Sequence, residues 1–160
     1  MKTLLLLRHA KSSHDQVGVG DHDRVLNGRG EKDAPLVGKR LKRERLVPDA
    51  VVSSTAVRAK ETARLAAEAC GFEGEIDLRR SLYLAPPEAY LEVLRTLPDE
   101  PKAVLMVGHN PGISDLVSRL GGDFVDMPTA GLAVFEVELD NWADVSFDLE
   151  FTLREFVRPD

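Results

Sequence analysis

The sequence predicts an α/β fold with a mostly parallel sheet and an antiparallel edge. Short uninterrupted apolar runs predict parallel strands buried on both faces, and the amphipathic segments between these runs predict helices. Near the end of the chain apolar and polar residues alternate instead, as in strands with one exposed face. With 160 residues, 43% of them hydrophobic, the chain suffices for a single domain, 1–160, with a sizeable core.

The first strand and the first helix are recognised by the residues at their ends. Leu4–Leu7 are too few for a helix, and they end on a cation and an imidazole at the carboxyl edge of the sheet, where open α/β folds bind ligands. The polar stretch 11–26 shows no clear period and is predicted to be a loop over that edge. Asn27 is the predicted N-cap of a helix that runs to about Arg45, with a kink or a later start at Pro35.

The second pair of strand and helix contains an arginine in an unfavourable place. Arg58 lies in the first turn of the helix, where the helix dipole disfavours a cation and favours an anion. Two explanations remain open: a phosphate-like anion bound beside Arg58, or an ion pair with Glu61 three residues later. The predicted boundaries are 49–53 for the strand, Ser54 and Thr55 for the helix caps, and Gly71 for the helix end.

The second half of the chain repeats the opening pattern and then closes the sheet. A continuous apolar run ends at His109, so two predicted strands end in histidine. The last two strands alternate apolar with polar residues and form a hairpin around a loop that holds Trp142. The predicted boundaries are 75–78 (strand), 87–97 (helix), 102–108 (strand), Asn110 as N-cap with Pro111 at the first helical position and a helix end near Leu120, and 132–138 with 147–153 (hairpin).

Composition indicates which binding partners and which cellular compartment to expect. The net charge of -6 argues against a general affinity for nucleic acid or an anionic membrane, and leaves room for a local cationic pocket. The single cysteine, Cys70, excludes an intramolecular disulfide and suits a reducing compartment. Arg8 interrupts the leucine run before the apolar region of a signal peptide would be complete. We therefore expect a cytoplasmic protein without nucleic-acid or membrane partners, and the sequence does not predict its oligomeric state.

Two arginines and two histidines are the candidate site residues: Arg8, His9, Arg58 and His109. A zinc site is one alternative, because the histidines and the aspartates of the 11–26 loop are suitable ligands. However, a cation beside a ligand histidine opposes a divalent metal, and the sequence has no HxH, HExxH or CxxC spacing, so no metal is expected. The absence of a GxSxG segment argues against a serine hydrolase.

This set of side chains favours a dianion. Two guanidinium groups offer planar donor forks to phosphoryl oxygens, and each close charge pair contributes roughly 4 kcal/mol at an effective dielectric near 20, before desolvation. Neighbouring cations lower the pKa of a histidine, which keeps it neutral and nucleophilic towards phosphorus. The other histidine can donate a hydrogen bond that stabilises charge during transfer, and no metal is required.

Three segments resemble the histidine phosphatase (phosphoglycerate-mutase-like) superfamily in order and spacing. Residues 7–13, LRHAKSS, resemble its RHG/RHA signature, and 53–62, SSTAVRAKET, resemble its S-x-x-x-R-A-x-x-T segment. Residues 107–111, VGHNP, are similar to its third motif, which contains GH. The short length, the RHAKSS form and the DHDRVLN stretch at 21–27 resemble the SixA-type phosphohistidine phosphatases most closely.

The resemblance implies a three-layer α/β/α fold, a phosphatase activity and no cofactor. It implies His9 as the phosphorylated nucleophile, with Arg8, Arg58 and His109 forming a phosphate pocket beside Asn110. The implied partner is a protein that carries phosphohistidine, and the pocket is expected to accept phosphate or sulfate.

One departure from the superfamily pattern bears on the leaving group. Many members carry a glutamate acid after the third strand, whereas residues 78–83 read LRRSLY here. The remaining candidates for an acid are Asp21, Asp23 and Glu88, each of which is also explained as a solvated loop or helix residue. Without an acid, alkyl monoesters should react slowly and N-linked or aryl phosphates much faster. The short connection also leaves little sequence for a lid, which favours a phosphoryl group borne by a protein.

Two rival functions remain at this stage. A small-metabolite phosphatase or mutase of the same superfamily would use the same four side chains. A phosphoprotein-binding module without turnover would need only the arginines, so the presence of both histidines argues against it.

Overall fold

The computed structural model describes residues 1–159 and contains one six-stranded sheet, in the order β3-β2-β4-β1-β5-β6. Neighbouring strands among β1 to β4 pair in parallel. Strand β5 pairs antiparallel with both β1 and β6. The predicted mostly parallel sheet with an antiparallel edge is therefore confirmed. The strands are β1 (Lys2–Arg8), β2 (Ala50–Ser54), β3 (Ile76–Arg79), β4 (Ala103–Gly108), β5 (Leu132–Val137) and β6 (Phe151–Val157).

Helices cover both faces of the sheet, which confirms the three-layer α/β/α fold. Leu4 and Leu6 point into a core that contains the apolar sides of the helices Pro87–Arg95 and Gly112–Gly121, whereas Leu5 and Leu7 point into a second core with those of Gly28–Arg43 and Val57–Cys70. The four-leucine run is uninterrupted because both faces of β1 are buried. Within residues 1–159, no helix is both long and apolar enough to span a membrane. The helices are α1 (Gly28–Arg43), α2 (Val57–Cys70), α3 (Pro87–Arg95) and α4 (Gly112–Gly121).

The first helix begins where the sequence predicts. The Asn27 side chain accepts a hydrogen bond from the backbone N–H of Gly30 at 2.9 Å, which confirms it as the N-cap of α1. Pro35 lies inside the helix and does not delay its start. The predicted helix end at Gly71 is also confirmed, since this residue caps α2 with a left-handed φ of 84°.

Two other predicted caps are wrong. Helix α2 begins at Val57 with Ala56 as its N-cap, because Ser54 is still the last residue of β2. Helix α4 begins at Gly112 with Pro111 as its N-cap, whereas the Asn110 side chain bonds to residues farther along the chain. In both places the predicted cap side chain lies beside the pocket described below and is used there instead.

The closing hairpin is displaced from its predicted position. Its second strand runs from Phe151 to Val157, whereas the alternating pattern predicts 147–153. Phe147 and Leu149 continue the alternation and pack against the core without entering the sheet. Phe151 pairs with Val137, and this pairing sets the start of β6. The position of β6 therefore depends on its register with β5 and not on the local alternating pattern.

Candidate active site

Two neighbouring parallel strands bring the predicted histidines together. Arg8, the last residue of β1, lies opposite Gly108, the last residue of β4. The backbone N–H of His9 donates to the Gly108 carbonyl at 3.0 Å, and His109 follows on the adjacent strand. The ring centroids of His9 and His109 are 5.2 Å apart. The sheet therefore places both imidazoles at one point of its carboxyl edge.

Arg58 reaches the same point from the first turn of α2 and is only 2% exposed. Its Nη2 lies 3.0 Å from Oδ2 of Asp21, and its Nη1 donates to the Asp21 carbonyl at 2.6 Å. The ion pair with Glu61 proposed from the sequence is wrong, because Glu61 pairs with Arg64 at 2.8 Å. A short 3-10 turn, Asp21–Asp23, thus anchors the Arg58 guanidinium at the sheet edge.

These side chains line one open cavity of about 370 Å³. All four predicted pocket residues contribute to it, as does Asn110. The cavity is lined by Arg8, His9, Lys11, Ser12, His14, Asp21, Arg24, Arg58, Leu84, His109, Asn110 and Thr129.

The His9 ring has a defined tautomer. Its Nδ1 lies 2.7 Å from the Ala10 carbonyl oxygen, which can only accept, so Nδ1 carries the proton and Nε2 carries the lone pair. The pKa of His9 is lowered to about 4, first by burial and then by the charges of Arg58 and Arg8. Burial lowers this pKa more than the neighbouring cations do, although the sequence alone predicts only the effect of the cations. At neutral pH His9 is an uncharged ring with a free Nε2, as a nucleophile towards phosphorus requires.

Ser54 sets the opposite tautomer at His109. The Ser54 hydroxyl accepts from the Ala56 N–H at 3.2 Å, and Nε2 of His109, at 2.8 Å, is the one acceptor within residues 1–159 for the hydroxyl's own proton. Burial, followed by the charges of His9 and Arg58, lowers the pKa of His109 to about 3 and keeps the ring neutral. With Nε2 accepting from Ser54, the remaining proton lies on Nδ1, which can donate a hydrogen bond.

Three buried N–H groups of the site lack a hydrogen-bond partner among residues 1–159: Nε of Arg8, Nε of Arg58 and Nδ1 of His109. Buried donors in folded proteins are almost always paired, so these N–H groups are available to a polar group that enters the cavity. Two guanidinium groups and a neutral N–H donor suit a tetrahedral dianion, because each can bond a separate oxygen. The arrangement therefore fits a phosphoryl group.

Two contacts hold the strand ends in position. The Thr62 hydroxyl accepts from the Ala10 N–H at 2.9 Å and donates to the Arg58 carbonyl at 2.7 Å, which ties the segment after β1 to α2. On the other face the Tyr90 hydroxyl accepts from the His109 N–H at 3.3 Å. A side chain on Gly108 would overlap this hydroxyl, so the close approach requires glycine.

Asp21 is the one predicted acid that lies in the cavity. Hydrogen bonds from Tyr83, at 2.5 Å, and then from Arg58 lower the pKa of Asp21 to about 2. An ionised carboxylate at neutral pH has no proton to donate. Asp23 is exposed outside the cavity beside His22, and Glu88 lies on α3, 4.0 Å from Arg119.

Asn110 lies at the cavity with its side chain already engaged. Its Nδ2 donates to the Met127 carbonyl at 3.1 Å, and its Oδ1 accepts from Ser114 at 2.5 Å. Nη1 of Arg8 donates to the same Met127 carbonyl at 3.0 Å. Asn110 therefore fixes the segment that orients Arg8.

Sequence reasoning missed Arg24, Tyr83 and the role of Ser54. Arg24 donates to Asp21 at 3.1 Å and to Ser12 at 2.9 Å, so it joins two sides of the cavity. The ring of Tyr83 lies edge-on to His109, with centroids 5.5 Å apart. The sequence could have indicated Arg24, because this residue belongs to the 21–27 stretch that resembles the SixA-type proteins. Tyr83 and Ser54 carry no local signal, since their contacts come from other strands and loops.

The cavity does not group metal ligands in the way that the zinc alternative requires. In the part of the chain that the structure describes, residues 1–159, no three His, Cys, Asp or Glu side chains are gathered as ligands. The second histidine faces two guanidinium groups instead.

Comparison with known proteins identifies the family of the chain. Residues 4–82 match the model of the histidine phosphatase superfamily (branch 1). The chain is similar to an uncharacterised protein of Mycobacterium tuberculosis, with 35% identity over 150 residues that cover 87% of this chain and 91% of that protein. The matched family segment contains Arg8, His9 and Arg58.

Solved structures share the whole fold. A candidate phosphohistidine phosphatase SixA of Agrobacterium tumefaciens superposes with a TM-score of 0.83 at 28% identity, over 99% of this chain and 98% of that one. A protein histidine phosphatase SixA in complex with tungstate superposes with a TM-score of 0.82 at 21% identity, over 98% and 97% of the two chains. At that identity the second likeness bears on the fold alone.

Proposed function

Because the chain belongs to the histidine phosphatase superfamily (branch 1), as a phosphatase of the SixA type, we propose that it hydrolyses phosphohistidine on a protein substrate. The observation that carries the proposal is the cavity itself, which Arg8, Arg58 and His109 line together with a neutral His9 whose Nε2 is free. The reaction proceeds in two transfers of the phosphoryl group.

In the first transfer Nε2 of His9 attacks phosphorus and forms an N–P bond. The bond from phosphorus to the leaving group breaks, and the leaving group departs with the electron pair. Arg8 and Arg58 hold the phosphoryl oxygens, and the Nδ1–H of His109 donates to an oxygen whose charge grows in the transition state. In the second transfer water attacks phosphorus, the N–P bond breaks with its electron pair returning to Nε2 of His9, and the product leaves as phosphate that carries the protons of the water.

The leaving group is the feature that selects phosphohistidine. The only carboxylate on the cavity formed by residues 1–159 is Asp21, whose pKa of about 2 leaves it ionised. An alkoxide leaves slowly when no acid protonates it. The nitrogen of a phosphoramidate can take a proton from solvent, so phosphohistidine does not need an acid in the protein.

The open mouth of the cavity supports a substrate carried by a protein. The connection between β3 and α3 is only residues 80–86, and Leu84 on this connection remains 53% exposed at the cavity. No long segment there covers a bound phosphoryl group, as far as residues 1–159 extend. A histidine side chain projecting from a protein surface can therefore reach Nε2 of His9.

Release of phosphate from a panel of substrates tests this proposal. The panel contains a histidine-phosphorylated protein, p-nitrophenyl phosphate, glycerol phosphate and a sugar phosphate. We expect kcat/KM to be highest for the phosphohistidine protein and lowest for the two alkyl phosphates. A sugar phosphate that reacts as fast as phosphohistidine would favour a metabolite phosphatase, and binding of the phosphoprotein without turnover would favour a binding module.

A further inference from the structure

The active-site cavity continues along the protein surface in one direction. It shares Lys11 and Thr129 with a neighbouring depression of about 250 Å³. That depression shares Asp33 and Arg158 with a third one of about 410 Å³, which lies between α1 and the end of β6. The three depressions therefore form one path that starts at the phosphoryl site.

This path is strongly basic in a chain whose net charge is -6. We call it the basic groove and define it by its five cations, Lys11, Arg29, Arg40, Arg43 and Arg158. Asp33 is the one carboxylate among the residues 1–159 that line it, and this side chain is 9% exposed and paired with Arg29 at 3.1 Å. Cations on an otherwise acidic surface mark where an anionic partner is favoured.

Not all of these cations are neutralised by the protein. Arg40 pairs with Glu44 at 2.7 Å and with Glu155 at 3.3 Å. Arg43 and Arg158, by contrast, form no ion pair with any of residues 1–159. Both are exposed, so their charges are available to a bound chain.

Apolar residues also line the basic groove. Leu36, which is 53% exposed on α1, lines it together with Val157 and Pro159. An exposed leucine in the same depression as two unpaired arginines suits a peptide with acidic and apolar side chains better than it suits a small ion.

We propose that the basic groove binds an acidic segment of the protein substrate, next to the phosphohistidine that enters the active-site cavity. The proposal rests on the proposed function and names the chemistry of the substrate beside its phosphorylated residue. Charge complementarity and continuity through Lys11 and Thr129 support it. The groove then contributes affinity for the protein and leaves the chemistry at His9 unchanged.

Two synthetic peptides test the proposal. Each carries a single histidine phosphorylated with phosphoramidate, flanked on both sides by glutamates in one peptide and by the uncharged isostere glutamine in the other. We expect kcat/KM to be about tenfold higher for the glutamate peptide at low salt, because several exposed charge pairs each contribute a small factor. The preference should shrink as salt is added, since exposed charges are screened.

Charge-reversal variants locate the preference. Arg43→Glu with Arg158→Glu should abolish it. Lys42→Glu with Lys102→Glu is the matched control, because these lysines are exposed, do not line the groove, and change the net charge equally. All variants should hydrolyse p-nitrophenyl phosphate at the wild-type rate, since this substrate is too small to reach the groove.

The proposal is overturned if the wild-type protein treats both peptides alike, or if the control pair lowers the preference as much as the groove pair. If the wild-type protein hydrolyses p-nitrophenyl phosphate and neither peptide, the proposed function fails instead. In that case anisotropy of a fluorescent, unphosphorylated glutamate peptide still tests the groove. Binding that the groove pair weakens about tenfold and the control pair spares supports it, and equal binding to all three proteins refutes it.

Discussion

The cavity has a buried wall, formed by His9, Arg58 and His109 with the half-buried Arg8, and an exposed wall, formed by Leu84 and by Asp21 with its partner Tyr83. The buried wall holds neutral imidazoles and unpartnered N–H donors, so it is prepared for a phosphoryl group. The exposed wall holds a carboxylate that is already paired and ionised. The difference implies that the protein stabilises the transferred group strongly and assists the leaving group little.

The largest effect should come from the buried wall. His9→Ala removes the proposed nucleophile, and we expect turnover to fall at least about 10³-fold, or roughly 4 kcal/mol in the barrier. Steady-state hydrolysis of p-nitrophenyl phosphate measures it. Lys102→Ala is the control, since this exposed residue precedes β4, at the opposite edge of the sheet from the cavity, and its loss should leave turnover nearly unchanged. Near-normal turnover of the His9→Ala variant would remove the proposed role of His9.

Because the exposed wall supplies no proton donor, the rate should depend strongly on the leaving group. We expect kcat/KM for p-nitrophenyl phosphate to exceed that for glycerol phosphate by about 10²-fold or more, because an absent general acid typically costs that much. Asp21→Asn should leave this ratio within about threefold, since an ionised Asp21 donates no proton in the native protein. Equal rates on the two substrates, or an aryl advantage that grows strongly in the Asp21→Asn variant, would show that this wall does supply an acid.

A smaller effect is expected at Ser54, which acts on the reaction only through His109 of the buried wall. Ser54→Ala removes the hydroxyl that directs the His109 proton to Nδ1, and we expect kcat to fall about tenfold with little change in KM. Ser53→Ala is the matched control, because this equally buried hydroxyl donates to the Ser54 carbonyl and does not contact His109. Denaturant unfolding should show similar losses of stability in the two variants. Equal losses of kcat would reduce Ser54 to a structural residue.

The smallest predicted effect is on the pH dependence of kcat/KM, compared with an enzyme whose nucleophilic histidine has an ordinary pKa. The pKa of His9 lies near 4, and the nucleophile is the unprotonated ring, so its reactive fraction stays close to one down to about pH 5 and halves near pH 4. A histidine with an ordinary pKa would already lose half its reactivity near pH 6.5. The measurement is kcat/KM against pH, corrected for ionisation of the substrate. A midpoint near pH 6.5 that belongs to the enzyme would contradict the burial of His9.

The buried wall was predictable from the sequence because strand ends carry it. Arg8, His9 and His109 follow apolar runs that sheet formation brings side by side, and Arg58 occupies a helix start that favours an anion. The exposed wall was not predictable in the same way. The bond from Tyr83 to Asp21 joins residues far apart in sequence, and it determines that the carboxylate is ionised.

The same distinction explains the errors in the fold. The parallel strands with their antiparallel edge and the α1 cap follow from local patterns, whereas the start of β6 depends on pairing with β5. Ser54 and Asn110 have cap-forming side chains, but tertiary bonds to His109 and Met127 engage them. Local propensity failed where side chains were drawn into the site.

Trapping the phosphorylated enzyme tests the central claim most directly. The protein is mixed with radiolabelled phosphohistidine peptide or p-nitrophenyl phosphate, quenched within the first turnover, and digested for mapping of the label. We predict an acid-labile, alkali-stable phosphoryl group on Nε2 of His9. A label on His14, His22 or His109, or steady turnover with no label on any histidine, would contradict the account.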